Sequence, residues 1–131
     1  MEARSQLMLE VNLFRNQERV PVFVCKASQV AESEVYSFDV PEIGRLAVYN
    51  VDGTYYVTDD ECTHAKASLS DGYLEGTVIE CPVHGGQFDV ITGKAVKSPC
   101  FKPLRTYPAR LVEDEVRIES EHADRQPAGS E

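Results

Sequence analysis

Short runs rich in Val, Ile, Leu, Tyr and Phe, broken by Gly, Pro and Asp, recur along most of this chain. The first is "VPVFVCKA"; "EVYSFDV" and "RLAVYNV" follow, with partial apolar/polar alternation and with Pro41 and Gly44 as punctuation. Alternation at period two sets one face of an extended segment against a core and the other in water, so these runs predict strands. In "NVDGTYYV" the pair Asp52-Gly53 lies between two apolar runs. A tight hairpin turn needs positive φ, which glycine adopts cheaply, so a hairpin is expected there.

Further along, "YLEGTVIEC" and "QFDVITGKAV" read as more short strands, with Thr92-Gly93 as a turn before "KSPCFKP". "LRTYPARLVEDEVRIE" predicts two strands joined around Glu113 and Asp114. No stretch joins helical periodicity to convincing caps, so the expected class is all-β. Residues 1–20 form an N-terminal extension whose "LMLEVNLF" fits a short helix, an added strand or disorder equally. The segment "SEHADRQPAGSE" has no large apolar side chains to bury, and residues 120–131 are expected to be a disordered tail. One domain over residues 21–119 remains.

Composition narrows the partners. Lys plus Arg number 13 against 22 Asp plus Glu, a formal charge of -9, which argues against a phosphate-tracking surface and hence against nucleic acid. There is no secretory apolar run and no membrane-length segment, so no membrane association and a cytoplasmic location are expected.

Four cysteines and three histidines are present, and four of these seven residues fall into a pattern: Cys62-x-His64, 16 residues, then Cys81-x2-His84. Both halves follow predicted strands, so two loops converge on one metal centre. Zinc takes thiolate and imidazole, but its sites usually pair like with like. One thiolate and one imidazole per loop suit a two-iron cluster, with both cysteines on one iron and both histidines on the other. A zinc staple without redox function stays open as an alternative.

"CTH" and "CPVHGGQFD", with Pro82, Gly85, Phe88 and Asp89, resemble the C-x-H and C-P-x-H-G loops of Rieske proteins. "SDGYLEG", "TGKAV" and "PLRTYPARL" resemble the small Rieske-type ferredoxins of bacterial aromatic-ring-hydroxylating oxygenase systems. The resemblance implies a [2Fe-2S] cluster held by Cys62, His64, Cys81 and His84, the histidines through Nδ1. It also implies a Rieske fold: an antiparallel sandwich or barrel base with a smaller cluster-binding part, at about 59–98, that carries the two loops. Pro99 would belong to a loop covering the cluster.

High-potential Rieske proteins add a disulfide between the loops and use serine and tyrosine hydroxyls to hydrogen-bond the cluster sulfurs. Here Val83 stands at one of the cysteine positions, and Gly86 and Phe88 replace the hydroxyl residues, which implies a low-potential, disulfide-free protein. A mononuclear oxygenase iron needs two histidines and a carboxylate, and only His122 is left over. No G-x-G-x-x-G follows a strand, so no dinucleotide fold is expected. What remains is a one-electron carrier, and the resemblance implies that it works between a flavin-containing ferredoxin reductase and a terminal ring-hydroxylating oxygenase. The runner-up is the small Rieske-like subunit of an assimilatory nitrite reductase.

Two expectations concern residues beside the loops. Cys25 and Cys100, in "VFVCKA" and "SPCFKP", read as buried structural thiols. The acid run Asp59, Asp60 and Glu61 is a candidate for steering a basic partner, offset by Lys66, Lys94, Lys97 and Lys102 nearby in sequence.

Overall fold

Asp52 and Gly53 take left-handed φ values of 54° and 87°, the geometry that lets a two-residue turn follow the twist of its strands. The computed structural model describes residues 21–119; the expectations for residues 1–20 and 120–131, His122 included, lie outside it. Within it, Phe23–Ile118 form one compact unit.

The chain is all-β among these residues. Strands β1 (Pro21–Lys26), β2 (Val35–Val40), β3 (Gly44–Val51) and β4 (Thr54–Asp59) come first. Four short strands follow: β5 (Tyr73–Glu75), β6 (Val78–Glu80), β7 (Gln87–Asp89) and β8 (Ala95–Lys97). The last three are β9 (Thr106–Tyr107), β10 (Ala109–Val112) and β11 (Glu115–Glu119). Helix is confined to short 3-10 turns at Ala27–Gln29 and Leu69–Asp71.

These strands make three sheets, ordered β1-β11-β10, β2-β3-β4-β9 and β5-β6-β7-β8. The Asp52-Gly53 turn sets Val51 opposite Thr54. The turn at Glu113, with φ 61°, sets Val112 opposite Glu115. The first two sheets are built from the segments expected to form the base, and the third, small sheet carries the second loop and receives the first.

Strand β3 is buried on both faces from Leu46 to Asn50. Ala47 and Tyr49 share a core with Leu69, Ile79, Phe88, Val90 and Leu104, and Cys62, Cys81 and Cys100 belong to the same cluster. The loops therefore rest on the core that joins β3 to the small sheet. Asn50, buried on β3, is fully bonded: its amide donates to Val30 O and its Oδ1 accepts from Gly53 N. The hairpin that leads the chain toward Cys62 is thereby anchored at its turn.

Candidate metal centre

The first loop leaves β4 and the second leaves β6, and each closes on itself in the same way. The Cys62 N-H donates to Ala67 O at 3.0 Å, and the Cys81 N-H donates to Gly86 O at 2.8 Å. The amide two residues after each cysteine then points at its sulfur. His64 N donates to Cys62 Sγ at 3.4 Å, and Val83 N donates to Cys81 Sγ at 3.4 Å. Two loops of different sequence, each closed over six residues, thus present a thiol, a backbone donor and a histidine in one recurring pattern.

In the second loop His84 and Gly85 take φ values of 70° and 72°. Left-handed backbone costs a residue with a Cβ about 1 kcal/mol or more, so the tight loop geometry holds His84 in this conformation, and Gly85 follows at little cost. The result is a histidine turned outward. His84 is exposed and His64 half-buried, with ring centroids 5.2 Å apart in an edge-on arrangement. His84 Nδ1 lies 3.0 Å from His64 Nε2. The facing atom is Nδ1 at His84 and Nε2 at His64.

The cysteines point the other way. Cys62 and Cys81 are 4% and 0% exposed. Burial is the main cause that raises the Cys81 thiol pKa above its ordinary value; the nearby Cys62 thiol adds to it, and the Val83 amide opposes it. Buried thiols that resist ionisation become good ligands once a cation supplies the missing charge.

Several expectations for neighbouring residues change. Cys100 is buried, as its apolar surroundings predict, but it touches the site: its Sγ lies 3.9 Å from Cys62 Sγ. Burial, then the neighbouring Cys62, pushes its pKa up to about 12. Gly86 lies directly beneath it; a Cβ there would overlap the Cys100 sulfur and come within 3.0 Å of Cys100 N. The only hint in the sequence was the adjacent Pro99, in the segment placed over the cluster by resemblance. Thr63 adds a second tie to that segment, its hydroxyl donating to Lys102 O at 2.9 Å.

The acid run does not form a steering surface. Asp60 is 1% exposed, its Oδ1 accepting from Ser70 N at 2.9 Å. Half-buried Asp59 accepts from the Tyr107 hydroxyl, so of the three only Glu61 is fully exposed. Two of its carboxylates are held by protein partners, Asp60 at the 3-10 turn and Asp59 at β9. Lys66, Lys94, Lys97 and Lys102 are all exposed.

The four donors sort into an inward thiol pair and an outward imidazole pair, and a two-iron group takes one pair on each iron. The donor set fits that group.

A β base topped by two such loops defines the Rieske class of iron-sulfur proteins. Residues 20–108 match the Rieske [2Fe-2S] domain, and the chain belongs to that family, whose cofactor is a [2Fe-2S] cluster. Within the family it is similar to small ferredoxins. It is 47% identical over 92 residues to the ferredoxin component of the naphthalene 1,2-dioxygenase system of Pseudomonas putida, covering 70% of this chain and 88% of the relative. The Sphingomonas yanoikuyae B1 ferredoxin shares 44% identity with a TM-score of 0.73, over 76% of this chain and 97% of that one. A chain in the complex of reduced oxygenase and oxidized ferredoxin in carbazole 1,9a-dioxygenase gives 42% identity and a TM-score of 0.72, over 79% and 95%. These relatives are electron-transfer components rather than catalysts.

Proposed function

We propose that this Rieske ferredoxin carries single electrons from a flavin-containing NAD(P)H-dependent reductase to a terminal ring-hydroxylating oxygenase in the breakdown of aromatic compounds. The observation that carries the reading is the polarity of the site: buried thiols face the core, while the His64–His84 pair stands at the tip with His84 exposed. The cluster, when bound, supplies one reversible electron. Cys62 and Cys81 would hold one iron and His64 and His84 the other. The buried cysteine side excludes water, and the imidazole edge leaves a short path to a partner's surface.

Backbone amides of His64 and Val83 point at the ligand sulfurs, and Phe88 brings no hydroxyl. Fewer donors at the sulfurs favour a midpoint near the low end of the Rieske range, roughly -150 mV. That potential suits delivery of electrons from a nicotinamide-fed reductase. A cytoplasmic location completes the proposal, because the nicotinamide pool that feeds such a reductase is intracellular. The intact set of four ligands favours this reading over a nitrite reductase subunit.

The test is reconstitution. Purified protein should be red-brown, give a low average g value by electron spin resonance when reduced, and be required for product formation when a flavin-containing reductase and a ring-hydroxylating oxygenase are mixed. Replacing any one of Cys62, His64, Cys81 or His84 should abolish the signal. Colourless protein with one zinc per chain would overturn the proposal.

A further inference from the structure

We propose that the Cys100 thiol donates a hydrogen bond to the Cys62 sulfur and so raises the midpoint potential of the bound cluster; this rests on Cys62 being an iron ligand. The two sulfurs are 3.9 Å apart, both inside the core. A ligating cysteine is a thiolate with no proton to give. Cys100 is therefore the donor of the pair and Cys62 the acceptor.

The placement of Cys100 has a built character. Its sulfur occupies the space a Cβ on Gly86 would need, so the absence of a side chain at position 86 makes room for the thiol. Position 86 is where a hydroxyl donor was expected to be missing. The structure fills that space from a different segment, bringing a sulfur-bound proton to the ligand of the other loop. The Cys62 sulfur then has two donors, the His64 amide and the Cys100 thiol.

Reduction adds negative charge to the cluster and its sulfurs, which strengthens any hydrogen bond they accept. A donor at Cys62 thus binds the reduced form better than the oxidised one, and the potential rises by the difference. Cys100 is a positioning and tuning residue; it binds no iron in this arrangement.

The loaded protein tests this directly. With Cys62 and Cys81 ligated, S-H stretching bands among the described cysteines come from Cys25 and Cys100 alone. In a Cys25→Ala background one band should remain, below the free-thiol frequency, and it should move lower when the cluster is reduced. It should vanish when Cys100→Ala is added. In voltammetry Cys100→Ala should weaken reduction by up to about tenfold, which for one electron is about 59 mV. Cys100→Ser, with a stronger O-H donor, should stay at or above the parent potential.

A band at the free-thiol position that ignores the redox state would overturn the proposal. So would Ala and Ser variants that shift the midpoint equally in the same direction, because packing would then be the cause. If Cys100→Ala fails to load, the band in the Cys25→Ala protein still decides. Failure of the ligand reading looks different: Cys62→Ser would keep the parent optical and spin-resonance spectra.

Discussion

The Tyr107 hydroxyl donates to Asp59 Oδ1 at 2.6 Å, tying β9 to the last residue of β4. β4 runs straight into the first ligand loop, so this bond braces the base against the site. Tyr107 is 4% exposed and keeps its packing when only the hydroxyl is removed. Tyr107→Phe should cost roughly 0.5–1.5 kcal/mol, the net value of a hydrogen bond whose half-buried acceptor water can still reach. A urea midpoint unchanged from the parent would contradict the brace.

Asp59 itself titrates in a direction that the variant Asp59→Asn exposes. Burial raises its pKa above 3.8, with Tyr107 and Arg105 opposing the rise. A carboxyl raised in the folded state stabilises the fold below the unfolded pKa and loses that contribution as pH climbs through the folded value. The substituted amide keeps an acceptor for Tyr107 and carries no charge. The variant should be more stable than the parent at pH 7, with its advantage shrinking as pH falls toward 4. Denaturation curves whose separation is constant over that window would refute the assignment.

The two adjacent glycines of the second loop should fail for different reasons. Gly85→Ala meets open space apart from an ordinary contact with Glu80, so its cost is the left-handed backbone alone, about 1–2 kcal/mol. Gly86→Ala drives a methyl into Cys100 and should displace the covering segment. Iron per chain should fall modestly in the first variant and severely in the second. Adding Cys100→Ala to Gly86→Ala should recover part of the loss, because the sulfur is the nearest obstacle. Equal iron loss in Gly85→Ala and Gly86→Ala would argue against the close approach.

Cys25 lies in the β1 strand, away from the loops in sequence. Burial raises its pKa from 9.0 to about 11, so at pH 8 it carries about a hundredfold less thiolate than an unperturbed thiol, two pKa units being two powers of ten. Folded protein treated with iodoacetamide at pH 8 should leave Cys25 unlabelled until denaturant is added, as read by peptide mass. Rapid labelling of the native protein would mean the strand opens or the thiol is ionised.

Much of this protein was legible in order along the chain. Strand segments showed because a half-buried strand writes alternation into neighbouring residues, and turns showed because positive φ selects Asp52-Gly53. The ligand motif showed because Cys62-x-His64 and Cys81-x2-His84 are local spacings that each loop must satisfy alone. The reading of the acid run was misled for the same local reason: charge is visible in sequence, but burial of Asp60 and the Tyr107 partner of Asp59 are not. The partner is 48 positions away.

Local chemistry, then, sufficed for the class of fold and for proposing the four donors and their pairing by type. Packing alone settled what surrounds these four side chains: which carboxylate faces inward, which histidine stands exposed, and which thiol touches Cys62. Cys100 is 38 residues from Cys62, and no local pattern relates the two. Their contact exists because the Pro99 segment folds back over a glycine with no side chain to hold it off.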